Sequence, residues 1–338
     1  MKDLEFGRIT LSSCVAAAML AGCGGSQPAI GAPGAMPQTS ALAAHAGRGT
    51  SWMIGAPVAT SSNYKTSAPL LYVVNATADY NDVKMYHAAA KDPRPKEVIS
   101  DDLSTPFGDC IDSDGTLYVV NEPAGPGWVT EFPDGKSKPS KIIKDGINTP
   151  AFCAIDANGN LWVTNIGGQN VTEYQKGSSK PHTIITKGLF YPDGIAIDHS
   201  GNIYVANHYT EGTKSFAPGN VVEYRPGSKS PKRTITDGVT SPVGIVVDAN
   251  GTLYVANIKE SNVTEYLYGK SKPYQTITEG VSGPVAATVN KMGWLYVSNL
   301  GNNVVTEFPP NSIKPSRRQI SKGLYTPVGM AYYPPLLP

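Results

Sequence analysis

The sequence carries almost no net charge. Its 28 lysines and arginines face 27 aspartates and glutamates, a formal balance of +1. That excludes a polyanion binder driven by bulk charge, and nothing here points to nucleic acid as a partner. Long apolar runs are lacking: the mostly apolar stretch Ile9 to Leu20 falls short of the roughly 20 residues that span a bilayer as a helix. No segment sustains a 3.6-residue apolar period, so helices should be nearly absent. There is no phosphate-cradling glycine loop, no zinc-spaced Cys/His set and no Gly-x-Ser-x-Gly elbow, which removes the positive case for those enzyme classes. Phenylalanine is scarce, with 7 residues against 18 tyrosines. What abounds is glycine (35) and proline (28), a composition suited to a turn-rich β protein. A chain of 338 residues is large for a single core, so either two domains or one repeat-built domain is expected.

The N-terminus reads as an address. The short apolar run has the length of a secretory h-region and ends in Leu20-Ala21-Gly22-Cys23, followed by Gly24-Gly25-Ser26. This resembles the bacterial lipoprotein signal, which implies removal of residues 1–22, acylation of Cys23 and a membrane lipid as partner. Acyl chains bury about 0.8 kcal/mol per methylene, and several chains hold a protein where one does so only marginally. Gly24 after the cysteine implies the outer membrane in a diderm cell. Residues 23–66, rich in Gly, Ala, Pro, Ser and Thr, cannot bury enough apolar area to order themselves and read as a tether. Trp52 and Met53 are candidates for local docking onto the body, residues 67–338.

That body repeats. LYVVN at 71–75 and 117–121, LWVTN at 161–165, IYVAN at 203–207, LYVAN at 253–257 and LYVSN at 295–299 place asparagines 46, 44, 42, 50 and 42 residues apart. A period of 40–50 residues marks a propeller or an array. A proline opens each unit (Pro106, Pro150, Pro192, Pro242, Pro284, Pro327). Six residues on comes Asp112, Asp156, Asp198, Asp248 or Asn290, and nine further the asparagine. Between these lie an apolar strand and a tight turn such as Asn158-Gly159-Asn160, a hairpin signal because Asn and Gly tolerate positive φ. A third strand (Val171-Thr172-Glu173-Tyr174), a basic Lys-Pro turn and a fourth strand (Thr183 to Thr186) complete four antiparallel strands per period, a propeller blade. The first unit starts at its second strand, Leu70 to Asn75, while the last opener supplies a first strand, Val328 to Tyr333. The simplest account is an all-β six-bladed propeller of four-stranded blades, closed by the C-terminal strand completing the first blade. Closure removes the open sheet edge.

The unit P-x-G-x-x-x-D, turn, LYVAN, V-x-E-Y resembles the NHL-type six-bladed propeller repeat over residues 70–334, within the superfamily of SMP-30/gluconolactonase-like and virginiamycin B lyase-like proteins. All six second strands here end in Asn, where NHL units usually carry Asp. The gluconolactonase metal-ligand motif has no counterpart in this chain, and neither does the histidine spacing of the seven-bladed lyases. The resemblance implies the fold and leaves the activity open.

Repetition separates scaffold from site: a residue present in every blade serves the blade. On that basis the asparagines (75, 121, 165, 207, 257, 299) satisfy turn amides, and the glutamates (131, 173, 223, 265, 307) are structural. The ring set (Tyr72, Tyr118, Trp162, Tyr204, Tyr254, Tyr296) packs between blades, with sugar stacking as the alternative. Lys138, Lys180, Lys232, Lys272 and Lys314 belong on the rim of the opposite face, guarding outer strands or facing anionic headgroups.

Four residues break the pattern. After the proline, Asp193 stands where other blades have Phe, Ala or Val. Three after it, Asp109 stands among Cys, Ile, Ala and Met; after the asparagine, Glu122 and His208 stand among Ala, Ile and Leu. All lie in blades 2 and 4, toward one face or the channel beneath it. The loop after Asn207 is eight residues longer than its counterpart after Asn165 and includes Tyr209, Glu211, Lys214 and Phe216; long loops on one face of a repeat protein usually bind. The candidate ligand-binding set is Asp109, Glu122, Asp193, His208 and Tyr209. No cofactor is expected, although three acids and a histidine could hold a divalent cation or act as acid and base; the set can also be a group of exposed loop ends that bind nothing. Cys110 and Cys153, four and three residues after their prolines, point to opposite sides of their strands and are expected as two free buried thiols. The functional expectation is a membrane-anchored, exported scaffold binding a protein, peptide or carbohydrate through one face of the disc. The alternative is a metal-assisted lactonase- or lyase-like enzyme at the central channel.

Overall fold

The computed structural model describes residues 68–77, 80–209 and 218–336. The segments expected as a lipoprotein signal with Cys23 and as a tether with Trp52 and Met53, and loop residues Glu211, Lys214 and Phe216, lie outside them. Among the described residues there is no helix. Six four-stranded antiparallel sheets form the six blades. In blades 2 to 6 the chain runs outward, as in blade 2 from an inner strand, Pro106–Ile111, through Leu117–Asn121 and Trp128–Phe132 to a short outer strand, Lys141–Ile143. Blade 1 takes its inner strand from the chain's last segment: Pro327–Tyr333 pairs with Leu70–Ala76, with Leu70 opposite Tyr333 and Val74 opposite Gly329. The expected closure is the observed one.

The repeated residues explain why each unit folds alike. The first-strand acid accepts the backbone N–H groups two and four residues on, as Asp112 does from Asp114 and Thr116, Asp198 from Ser200 and Asn202, and Asn290 from Met292 and Trp294. This ties the hairpin whose glycine, such as Gly201 at φ +78°, supplies the left-handed residue. The asparagine at the second strand's end accepts a backbone N–H seventeen residues earlier in five blades: Ser104 to Asn121, Asn148 to Asn165, Phe190 to Asn207, Thr240 to Asn257 and Ser282 to Asn299, at 2.8–3.0 Å. In blade 1 the same bond joins Tyr325 N–H to Asn75 at 3.0 Å across 250 residues. The glutamates pair across to the outer strands, as Glu131 with Lys141 and Glu223 with Lys232 and Arg233. The second-strand rings are all buried, and Trp162 and Tyr204 donate to Asp156 and Asp198 of their own blades, so stacking on a sugar is set aside for them. The five Lys-Pro-turn lysines are exposed.

The apolar core is divided into wedges between neighbouring blades. One wedge joins Tyr118, Val120 and Val129 of blade 2 to Ile155, Val163 and Tyr174 of blade 3; another joins Ala206 and Val221 of blade 4 to Val247 and Val255 of blade 5. Close approach is needed at the inner strands. A Cβ on Gly194 would stand 2.2 Å from the Val243 carbonyl oxygen, and one on Gly244 2.4 Å from that of Val285. The glycine of P-x-G thus admits the next blade's backbone.

This packing corrects the expectation for the cysteines. Cys110 and Cys153 form a disulfide, with their Cα atoms 5.7 Å apart. They do point to opposite sides of their strands: Cys110 pairs opposite Tyr118 and Cys153 opposite Val163, successive blade positions of opposite sense. In a propeller, however, one face of each blade packs on the opposite face of the next. Opposite senses on consecutive blades therefore bring the two sulfurs together.

Candidate functional site

Two backbone features build the mouth at the asparagine end of the blades. Each inner strand is bulged just after its proline; in blade 4 the register jumps from Pro192 opposite Asn207 to Ile195 opposite Val205. Bulges re-aim side chains, and Asp193 sits inside this one. The residue before each proline takes a positive φ: Thr105 (+47°), Thr149 (+51°), Tyr191 (+59°), Ser241 (+46°), Gly283 (+56°) and Thr326 (+88°). Its carbonyl accepts the N–H of the residue after the asparagine, as Thr105 does from Glu122 (3.0 Å) and Tyr191 from His208 (3.1 Å). Glu122 and His208 are therefore held identically, two blades apart.

In blade 4 these positions form a compact group. His208 Nδ1 lies 3.2 Å from Asp193 Oδ2, and the side chains are 6 % and 4 % exposed as residues. With a carboxylate as acceptor, Nδ1 carries the hydrogen. Asp193 Oδ1 is buried with no hydrogen-bond partner. The Asp193 carbonyl is fixed from blade 3, where Thr164 Oγ1 donates to it at 2.6 Å. Half-buried Tyr191 and Tyr209 wall the histidine: the Tyr209 ring lies 4.4 Å and the Tyr191 ring 6.0 Å from the imidazole centroid, and the two tyrosines lie 5.0 Å apart. Half-buried Glu122 shares the mouth. Burial, and then the Asp193 charge, push its carboxyl up to about 8. Burial first, then Asp193 and Glu122, raise the Tyr191 phenol.

Asp109 stands apart. It is buried and lines a cavity of about 140 Å³ between the inner strands, with the Cys110–Cys153 disulfide, Ile195 and Met330. Burial raises its carboxyl well above the usual range; the Ala331 amide opposes this without reaching hydrogen-bonding geometry. The structure thus brings Asp193, His208 and Tyr209 together, sets Glu122 at the same end of the blades within reach of the Asp193 charge, and leaves Asp109 at the cavity. Among the described residues no three His, Cys, Asp or Glu side chains converge as a metal site.

Two contributors escaped the sequence reading. Tyr191 is the one aromatic among the pre-proline residues, a signal present in the repeat but lying one residue before the aligned unit. Thr164 precedes its asparagine where blades 1, 2, 4 and 5 have Val or Ala. It occurs in a blade whose P-x-G glycine is replaced, by Phe152, as does Ser298 with Ala286 in blade 6. In both blades the hydroxyl accepts the substituting residue's N–H.

Among solved structures, the chain is similar to one in a crystal structure of a nidogen/laminin complex (TM-score 0.65, 16 % identity, covering 78 % of this chain and 98 % of that one). It is also similar to a protein of unknown function from Bacteroides caccae (0.61, 13 %, 79 % and 99 %) and to hydrazine synthase of Kuenenia stuttgartiensis (0.51, 15 %, 69 % and 71 %). At these identities the likeness shows a shared β-propeller fold. No family model matches the sequence, and no curated protein does.

Proposed function

We propose that this chain is an exported, lipid-anchored propeller of the NHL type that binds a partner on the face at the asparagine end of its blades. The observation that carries the reading is the meeting of Asp193 and His208 with Tyr191 and Tyr209 at the end of the blades that also bears Glu122; at the positions of Glu122, Asp193, His208 and Tyr191 the other blades carry Ala, Ile, Leu, Val, Phe, Thr, Ser or Gly. A scaffold needs only the blade; these departures add charge and aromatic surface where the repeat does not call for them. The nidogen/laminin complex contains a protein of this fold in an assembly, which accords with a binding role. Export is supported by Leu20-Ala21-Gly22-Cys23 and by the interblade disulfide, a bond that persists in oxidising compartments.

One observation favours a second reading, an enzyme working in the channel: the buried, unpartnered Asp109 at the cavity. The cavity of about 140 Å³ is smaller than the usual small-molecule pocket of about 300 Å³ and above, so the face is preferred.

The test is binding of wild type, Asp193→Asn, Glu122→Gln and the opposite-face control Lys180→Gln to peptide and glycan arrays. Ligands held by wild type and Lys180→Gln and lost by the other two support the reading; identical profiles for all four overturn it. For the anchor, Cys23→Ser should move the protein from the membrane fraction to the soluble one.

A further inference from the structure

We propose that the group formed by Glu122, Asp193, His208, Tyr191 and Tyr209 takes an organic cation, an ammonium or guanidinium such as a lysine or arginine side chain presents. The inference rests on the face being a binding surface and names the chemistry of what is bound there.

Asp193 is the centre of the argument. It is 4 % exposed, one oxygen is taken by His208, and the other has no partner. A buried acceptor left unmet is unfavourable until a donor arrives, and a charged donor answers it best. The bulge after Pro192 keeps Asp193 at the asparagine end of blade 4, beside the Tyr191 carbonyl that anchors His208; Glu122 is anchored in the same way on blade 2. The rings of Tyr191 and Tyr209 stand beside the pair, and aromatic faces attract cations as carboxylates do.

Other ligand classes fit less well. An anion meets two carboxyl groups. A calcium ion takes six to eight oxygens, and no three ionisable ligands converge here among the described residues. A neutral saccharide can stack on a tyrosine and donate to Asp193, but it brings no charge to the buried carboxylate. An organic cation offers the unpartnered oxygen a charged donor and lays its carbon surface on the rings.

The probes are butylammonium and butylguanidinium, with methyl β-glucoside as the neutral and butyrate as the anionic comparison. They are titrated into the full-length chain by calorimetry and followed by NMR of the histidine and tyrosine rings. Both cations should bind and shift the His208 ring signals. Asp193→Asn, which keeps an oxygen for the His208 N–H, should weaken them by at least about tenfold, while Lys180→Gln at an exposed turn should leave them unchanged. A melting curve like wild type's shows that Asp193→Asn is folded. Cations that fail to bind wild type, or that bind Asp193→Asn equally well, overturn the inference. Asp193-dependent glucoside binding without cation binding overturns the cation while keeping the face. If neither probes nor array ligands respond to Asp193→Asn, both readings fall.

Discussion

His208 and Asp193 face each other across the first two strands of blade 4, with Nδ1 3.2 Å from Oδ2 and both side chains out of water. The pair exists because a bulge turns Asp193 toward the strand on which His208 follows the blade asparagine. Its charge is felt in blade 2, where it adds to burial in raising Glu122.

That shift makes stability depend on pH. The native Glu122 carboxyl keeps its proton up to about 8, while an unfolded chain releases it near 4.5. Between those values the native state binds more protons, so raising the pH favours unfolding, by at most about 1.4 kcal/mol per pH unit from this group. The effect is absent below 4.5 and complete above 8. Urea denaturation across that window should show a flatter stability profile for Glu122→Gln than for wild type; parallel profiles would contradict the assignment.

Reduction of the disulfide should loosen the ring between blades 2 and 3. The cysteines are 43 positions apart in the sequence; for a loop of that size the loop-entropy relation gives about 4 kcal/mol, and native-state relaxation can lower this. Non-reducing peptide maps should join the Cys110 and Cys153 peptides. Cys110→Ser with Cys153→Ser should lower the urea midpoint while leaving the β circular-dichroism spectrum intact.

Gly194→Ala sets a new Cβ 2.2 Å from the Val243 carbonyl and forces blades 4 and 5 apart. A loss of about 1–3 kcal/mol or more is expected, as for other overpacked interiors. Gly125→Ala meets nothing within 4 Å and should be within about 0.5 kcal/mol of wild type. Thermal melts of the two variants give the comparison.

The asparagines should prove interchangeable in role. Asn165→Ala and Asn257→Ala each strand the backbone N–H of Asn148 or Thr240 and should lose about 1–3 kcal/mol by denaturant titration. Losses near zero at both would remove them from the scaffold.

The fold was legible because six copies of one pattern vote on each position: an asparagine seen six times at the end of LYVVN-like strands has to serve a bond made six times. The departures in blades 2 and 4 were legible for the same reason, as was the strand that completes blade 1. What failed was inference across blades. Alternation within a strand placed Cys110 and Cys153 on opposite sides, and only the face-to-face packing of neighbouring blades turns opposite sides into contact. Asp109 and Asp193 looked alike as acids near a proline. Asp193 lies within the bulge that follows its proline, whereas Asp109 is where pairing resumes after it, so one stays at the asparagine end and the other lines the cavity. Tyr191 required knowing that the residue before the proline is a left-handed hinge whose carbonyl anchors His208.

The pairing of Leu70–Ala76 with Pro327–Tyr333 also sets an order of events during synthesis. The earliest strand of the disc leaves the ribosome some 250 residues ahead of its neighbour, and its inner side must wait unsatisfied until that neighbour appears. Five blades can assemble on the nascent polypeptide as they emerge, but the sixth locks late. The ring is therefore sealed by the last strand to be made, and a chain cut short of Pro327 would keep an unpaired edge at Leu70–Ala76.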